Sequence, residues 1–321
     1  MRKETALTSM VTGMVLWGFA NPFSDISMSY LSPAEGYFLE SVAGALAFIA
    51  IVAVVPRLRK NIGQIPWRLA IPLGLIMPGL CFYLGNIGYQ YGTVTIGVIL
   101  LSTEVMFTAL GGAFILGEKL SPKAFMAILM GMVGVVIVGV NGQVNNPETV
   151  GQVVHLFGYE ISAGLIGALG FITSAFFSGL YAVYVRKYAA GVDIIGLTIG
   201  QLVSGAVFGI AIFFIAGLDF ASMYAQTTGF WAAIVAGLLG SAFAFLFFNM
   251  ASEHVTTRQT AMTLNLIPVI AIAAGAVMGR GIPTWIQVFG AVIVLCSLFF
   301  LETDDEEVAD EDTDSKRAQH T

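Results

Sequence analysis

The sequence contains few charged residues and very few of the residue types that build catalytic and metal sites. Only 11% of its 321 residues are charged, whereas a typical soluble domain carries about 25%. It has two cysteines and three histidines, and no two of the histidines have metal-ligand spacing. Cys81 and Cys296 both lie in apolar blocks, which predicts small core residues rather than a disulfide. These shortages argue against a soluble domain, a metal site and a disulfide framework.

Several sequence motifs are also absent. There is no phosphate-binding loop, no dinucleotide-binding glycine fingerprint and no nucleophile elbow. We therefore expect no catalytic residues, no cofactor and no metal. The expected partners are a small-molecule substrate and the lipid bilayer, with no nucleic acid, and a homodimer is compatible with the sequence. Without an ATP-binding motif, any transport has to run on a proton gradient, on exchange or on the gradient of the substrate.

What the sequence has instead is long apolar blocks. The chain is 57% hydrophobic, with a mean hydropathy of +0.85, and its blocks of about 20 residues match the length that crosses a bilayer as a helix. They predict an all-α integral membrane protein with ten spans. The predicted spans are 5–27, 34–55, 68–88, 95–117, 123–141, 160–185, 193–217, 229–250, 258–279 and 284–302.

The distribution of Lys and Arg predicts the orientation of these spans. With a cytoplasmic N-terminus, every Lys and Arg except Arg280 falls on the cytoplasmic side, as the positive-inside rule expects. The segments 141–159 and 217–230 contain neither residue and fall outside. The first block is long and has no cleavage site, so a retained span is a better interpretation than a signal peptide. We expect a multi-pass protein of the cell inner membrane with both termini in the cytoplasm.

The two halves of the chain resemble each other. A shift of 162 residues places Gly117-Glu118-Lys119-Leu120 on Gly279-Arg280-Gly281-Ile282, and a shift of 161 places Glu40 on Gln201. An odd number of spans in each half predicts an inverted repeat, which is typical of secondary transporters. The predicted units are 1–141, an external loop 142–159, 160–302 and an acidic disordered tail 303–321 on the cytoplasmic side.

Three strings then resemble a known family. Leu16-Trp17-Gly18, Gly117-Glu118-Lys119-Leu120-Ser121 and Asn265-Leu266-Ile267-Pro268-Val269 are similar to those of the drug/metabolite transporter superfamily, in its ten-helix EamA type. The resemblance covers about residues 5–302. It implies ten helices around a central cavity and the movement of small metabolites by alternating access. Glu40 and Arg280 reverse the charge that the family usually carries at those positions.

Glu104 is the strongest candidate for a site residue. It lies near the middle of the predicted fourth span, where a carboxylate costs about 2.5–3.5 kcal/mol and should face the interior of the bundle. There it can bind a proton or a cationic group of the substrate. The alternative is a carboxylate that is tied structurally to a neighbouring helix.

Other polar residues in the spans are candidates for the substrate pathway. Glu40 and its repeat equivalent Gln201 are polar at the same level of the two halves. Asn86 and Asn249 form a second equivalent pair, for which interhelical hydrogen bonds are the favoured interpretation. Asp25, Glu35 and Glu160 lie near outer helix ends, where we expect charges at the rim.

Prolines and aromatic residues complete the candidate set. Asn21-Pro22 and Asn265 near Pro268 are expected kinks, because proline removes a backbone donor, and Pro78 marks another. Trp17 and Tyr181 are expected to flank Glu104, while Asn21 and Asn265 supply polar contacts. Trp67, Trp231 and Trp285 lie at span ends and are expected to be interfacial anchors.

The sequence therefore predicts a secondary transporter of a small polar or amphipathic metabolite, and the family resemblance favours export over uptake. An amino acid or an amine is favoured, because the candidate residues include two carboxylates and no Lys or Arg in the middle of a span. Coupling to protons would use Glu104. Three alternatives stay open: an uptake or exchange carrier for a nucleobase, sugar or drug, a membrane channel or receptor, and a lipid-modifying membrane enzyme.

Overall fold

The computed structural model describes residues 3–118, 120–142, 153–156, 159–189, 191–252, 263–264, 266–297 and 299–300. We label its longer helices α1 to α10. They are α1 Lys3–Met28, α2 Pro33–Val54, α3 Trp67–Tyr91, α4 Val94–Leu116, α5 Pro122–Gly142, α6 Ala163–Tyr188, α7 Ile194–Ile215, α8 Thr227–Phe248, α9 Leu266–Val277 and α10 Trp285–Ser297. Short helices Pro56–Arg59, Lys60–Gln64 and Phe220–Ala225 lie in connections.

Six of these helices, namely α2, α3, α4, α6, α7 and α8, are long and apolar enough to cross a membrane. Shorter apolar helices cover Pro122–Val138, Leu266–Val277 and Trp285–Ser297, and α1 has 26 residues. The predicted all-α membrane class is confirmed. The number of ten crossings stays a prediction. The bounds of α1 to α8 lie within three residues of the predicted spans, and the predicted tail 303–321 lies outside the described residues.

A small hairpin precedes α6, where a loop without secondary structure is predicted. Strand β1, Val153–Leu156, pairs antiparallel with β2, Tyr159–Ser162, so that Val153 faces Ser162. Helix α6 begins at Ala163, three residues later than predicted, because Ser162 ends the strand and caps the helix by accepting a hydrogen bond from the Leu165 amide at 3.4 Å.

Side-chain caps define where several helices begin. At α2, the Ser32 hydroxyl accepts from the Glu35 amide, and the Glu35 carboxylate accepts from the Ser32 amide at 2.8 Å. This capping box gives Glu35, predicted as a rim charge, a structural role. Asp193 caps α7 by accepting from the Gly196 amide at 2.6 Å.

Three of the long helices are interrupted. Helix α3 contains a π-helical segment, Leu75–Leu80, in which Met77 has non-helical backbone angles (φ −143°, ψ 120°), so the break expected at Pro78 is present. Helix α4 contains a turn at residues 102–103 and a π-helical segment Gly112–Leu116. Helix α8 is π-helical over Gly237–Ala244. Such segments favour local changes in side-chain direction and often occur at functional sites.

Glycines allow close contact between helix backbones in the core. A Cβ atom added at Gly170 of α6 would lie 2.7 Å from the Gly88 amide nitrogen of α3, and one at Gly74 would lie 2.5 Å from the Gln201 carbonyl oxygen of α7. Large apolar side chains such as Phe114, Val277 and Trp285 are exposed on the outside of the bundle. An apolar exterior around a glycine-packed interior is what a lipid solvent requires.

Candidate functional site

Glu104 is positioned by the interruption of α4. Two hydroxyls satisfy backbone carbonyls there: Ser102 Oγ donates to the Val98 oxygen at 2.7 Å, and Thr103 Oγ1 donates to the Leu100 oxygen at 2.6 Å. A new helical segment then begins at Glu104 and continues to Gly111. The Glu104 side chain is half-buried. Glu104 therefore lies at a joint of the helix, inside the bundle.

Helix α6 packs closely against this joint. A Cβ atom at Gly179 would lie 2.7 Å from Phe107 Cβ and 3.0 Å from the Glu104 carbonyl oxygen. The adjacent Ser178 hydroxyl lies close to the Glu104 carboxylate, and it donates to Met77 Sδ at 3.7 Å. Tyr181, one turn further along α6, is close enough to Glu104 to interact with it electrostatically. The role of Tyr181 in flanking Glu104 stays a prediction.

Further polar side chains extend this group. The Tyr181 hydroxyl donates to Gln201 Oε1 at 3.3 Å and accepts from Nε2 at 3.2 Å, which joins α6 to α7. Ser174 Oγ donates to the Cys81 carbonyl oxygen at 2.7 Å and lies 3.4 Å from the Cys81 thiol. We call this set the Glu104 cluster, with members Cys81, Glu104, Ser174, Ser178, Tyr181 and Gln201.

Sequence reasoning missed Ser174, Ser178 and Cys81 as members of this cluster. The signal was available in α6, because Ser174, Ser178 and Tyr181 are spaced four and three residues apart and so share one helix face. A polar stripe within an otherwise apolar span is what identifies such a face.

Glu40 belongs to a second polar group, formed by α1, α2 and α3. Asn86 Nδ2 donates to Glu40 Oε2 at 3.0 Å, and the Ser24 hydroxyl lies close to the carboxylate. The side chain is buried, and Glu40 Oε1 has no hydrogen-bond partner among the described residues. The interhelical hydrogen bond predicted for Asn86 is confirmed. The side chain of Asn249, its repeat equivalent, lies outside the described residues.

Asn21 extends this second group. Its Oδ1 accepts from the Tyr89 hydroxyl at 2.6 Å, and its Nδ2 donates to the Trp17 carbonyl oxygen at 2.8 Å. Helix α1 continues through Pro22 to Met28, with the Asn21 side chain supplying a hydrogen bond just before the proline. We call this set the Glu40 cluster, with members Asn21, Ser24, Glu40, Asn86 and Tyr89.

The remaining predicted site residues lie elsewhere. The Trp17 ring packs against Phe245 and Phe248 of α8, with ring centroids 4.9 and 5.7 Å apart. Its role beside Glu104 stays a prediction. Asn265 lies outside the described residues, and Pro268 is buried in the first turn of the described part of α9.

Two ion pairs lie near helix ends. Asp25 of α1 pairs with Arg280, and Glu118 Oε1 pairs with Arg186 Nη2 at 2.5 Å. The prediction of Asp25 as a solvated rim charge differs from the structure, because its side chain is 2% exposed. Pairing with Arg280, which is distant in sequence, explains this burial. Sequence spacing alone does not predict such a contact.

Surface grooves do not coincide with either cluster. One of about 740 Å³ is lined by residues of α5 and by Phe300, and one of about 410 Å³ by residues of α1 and α8. Both are lined almost wholly by apolar side chains, as lipid-facing furrows are. Within the described part of the chain, no three His, Cys, Asp or Glu side chains converge as metal ligands would.

Comparison with known proteins agrees with this architecture. Residues 5–140 and 165–303 match the model of the EamA-like transporter family. The chain is 24% identical over 296 residues to the uncharacterized transporter YyaM of Bacillus subtilis (strain 168), covering 88% of this chain and 90% of YyaM. It is 25% identical over 301 residues to the uncharacterized transporter YvbV of the same strain, covering 90% and 89%.

A solved crystal structure of another protein shares the fold. It superposes with a TM-score of 0.57 at 17% sequence identity, covering 95% of this chain and 99% of that one. The family match spans both halves of the chain, and the apolar helices agree with a membrane protein of this family. This multi-pass membrane protein belongs to the EamA-like transporter family of the drug/metabolite transporter superfamily.

Proposed function

We propose that the protein is a secondary transporter that exports a small amine or amino acid from the cell by alternating access, with the Glu104 cluster as its binding site. The observation that carries the proposal is the position of Glu104. Glu104 begins a helical segment at the joint of α4, and the Ser178 hydroxyl of α6 lies close to its carboxylate. An intramembrane carboxylate of this kind is by default a functional site.

The charge of the surroundings favours a cation over an anion. The sequence contains no Lys or Arg between Arg68 and Glu118, or between Lys123 and Arg186. Helices α3 and α6, and α4 up to its end, therefore bring no cation to the level of Glu104. A proton or a substrate ammonium is the matching partner for such a site, while the hydroxyls of Ser178 and Tyr181 and the amide of Gln201 suit the polar groups of an amino acid.

The location of the cluster also suits transport. Its members come from α3 and α4 of the first predicted repeat and from α6 and α7 of the second. Sites of secondary transporters commonly lie where two repeats meet, because relative movement of the repeats opens such a site to either side in turn. The family resemblance favours export, and the distribution of Lys and Arg favours cytoplasmic termini. Placement in the inner membrane is part of the same proposal.

Counterflow in proteoliposomes tests the transport class. Vesicles loaded with one unlabelled amine or amino acid at a time should accumulate the labelled form from outside. A channel would equilibrate the label without accumulation, and a lipid-modifying enzyme would form product without flux. Either of these results would reject the carrier.

The role of Glu104 requires a separate measurement. Glu104→Gln keeps the size and the hydrogen-bonding oxygen but cannot release a proton. We expect loss of proton-driven flux by at least about tenfold, equivalent to about 1.4 kcal/mol, and loss of its dependence on pH. Glu35→Gln is the matched control, because glutamine also completes a capping box. An unchanged pH profile in Glu104→Gln would remove Glu104 from the mechanism.

A further inference from the structure

Two ion pairs connect the predicted halves of the chain. Arg280, in the turn between α9 and α10, pairs with Asp25 near the end of α1, and its Nη2 also donates to the Ser29 hydroxyl at 2.7 Å. Arg186, near the end of α6, pairs with Glu118, which follows α4. In each pair, a residue near the end of a helix in one half holds a residue in a turn of the other half.

The two pairs occupy equivalent positions of the sequence repeat. A shift of 162 residues places Glu118 on Arg280, and a shift of 161 places Asp25 on Arg186. The repeat thus relates one whole ion pair to the other. The two charges are exchanged between them: the helix end is acidic in the first pair and basic in the second.

Backbone conformation supports this equivalence independently of the sequence. The residue before Glu118 is Gly117, with φ 74°, and the residue before Arg280 is Gly279, with φ 73°. Both glycines end a helix in the left-handed conformation that favours glycine. The next amide then donates back into the helix, from Glu118 to the Gly112 oxygen at 3.2 Å and from Arg280 to the Gly275 oxygen at 2.8 Å. The same turn therefore presents a carboxylate at one site and a guanidinium at the other.

The predicted topology puts the two pairs on opposite sides of the membrane. Helices α1 and α9 end outside in this threading, whereas α4 and α6 end inside. We propose that these ion pairs are the gate latches of the transporter, an inference that rests on the proposed alternating access. Asp25–Arg280 closes the outer face and Glu118–Arg186 closes the inner face. The two pairs break alternately. We call them the outer latch and the inner latch.

Burial differs between the latches and sets their strength. The Asp25 and Arg280 side chains are 2% and 29% exposed, whereas those of Glu118 and Arg186 are 44% and 54% exposed. An exposed ion pair is screened by water and contributes little. Breaking a buried pair leaves one charge without compensation and has a much larger effect. The outer latch is therefore the stronger, and opening toward the cytoplasm is the easier movement.

Distance measurements between spin labels on each face test the proposal in the full-length protein in lipid nanodiscs. Labels at Tyr30→Cys and Ile282→Cys report on the outer face, and labels at Phe114→Cys and Tyr188→Cys on the inner face, since all four native side chains are exposed. The background variant is Cys296→Ser, which removes the exposed cysteine, while Cys81 is buried.

The two latches should act in opposite directions. Asp25→Asn should shift the ratio of open to closed outer distances by at least about tenfold toward open and close the inner face. Glu118→Gln should shift the inner ratio by about two- to fivefold toward open and close the outer face. A general loss of stability would not produce shifts of opposite sign.

Charge exchange controls for misfolding. The double variant Asp25→Arg with Arg280→Asp keeps a pair at the outer latch, so it should restore the distances of the background protein, whereas Asp25→Arg alone should not. Distances that do not change, or two latch variants that open the same face, would overturn the proposal. If distances shift as expected but counterflow is absent, the transport proposal fails and the latches stand. If counterflow is present and distances do not shift, only the latches fail.

Discussion

The Glu40 cluster and the Glu104 cluster contain the same chemistry in two different settings. The Glu40 cluster is drawn from α1, α2 and α3, all within the first predicted repeat, and its carboxylate is buried beside the Asn86 amide. The Glu104 cluster joins helices of both predicted repeats, and its carboxylate lies at a joint in α4. Two glutamates in apolar spans are therefore not equivalent. One is placed to hold helices of a single unit together, and the other is placed where two units meet.

The largest effect is expected from the close contact between α6 and α4 beside Glu104, and it tests the difference between the two clusters. In Gly179→Ala, the new methyl group would lie 2.7 Å from Phe107 Cβ and 2.9 Å from the Thr108 amide nitrogen. Backbone atoms cannot move aside to relieve this clash, as the end of a flexible side chain can. We therefore expect a loss of about 1–3 kcal/mol of stability, together with loss of flux. Thermal unfolding in detergent micelles and counterflow measure the two effects.

Gly85→Ala in α3 is the matched control for that substitution. Its methyl group would meet only the Ser174 side chain, at 3.4 Å and beyond, so the unfolding temperature should change little. Equal effects of the two alanines would show that α4 and α6 are not held by this contact.

A smaller effect is expected from the hydrogen bond between Asn86 and Glu40. Removing Glu40 or Asn86 in a double-mutant cycle should give a coupling energy of about 0.6 kcal/mol, and no more than about 1.7, as for other interhelical hydrogen bonds in membranes. Flux per folded molecule should stay within about twofold of the native value, or about 0.4 kcal/mol. A Glu40→Gln variant that folds normally but loses the pH dependence of flux would instead place Glu40 in the transport pathway and reverse the comparison.

The smallest effects should come from one tyrosine in each cluster. Tyr89→Phe removes a hydrogen bond of 2.6 Å to Asn21, whereas Tyr181→Phe removes contacts of 3.2 and 3.3 Å to Gln201. We expect about 0.5 kcal/mol of lost stability in the first variant and less in the second. The two variants should have the opposite order of effect on substrate affinity, because only Tyr181→Phe should lower it. Substrate titrations of counterflow would detect the opposite order if the binding site lay in the Glu40 cluster.

Sequence alone predicted the membrane class and several helix bounds to within three residues. Apolar length and basic residues at helix ends encode these features directly. The pairing of Glu40 with Asn86 and of Asp25 with Arg280 was not predicted in detail. Such contacts depend on how helices distant in sequence are packed and rotated, and hydropathy carries no information about rotation. The hairpin before α6 was missed because its eight strand residues lie in a segment without a strong pattern.

The continuity of helix α6 has a mechanical consequence. It runs 26 residues from the hairpin to Tyr188 without a π-helical segment, whereas α3, α4 and α8 are each interrupted. At 1.5 Å per residue, Arg186 lies about 35 Å from the first residue of the helix, Ala163, and Ser178 about 22 Å. A tilt of about 5° about Ala163 would move them by about 3 Å and about 2 Å respectively. A continuous α6 would therefore act as a lever, because a small displacement at Ser178, beside Glu104, becomes a larger one at the Glu118–Arg186 ion pair.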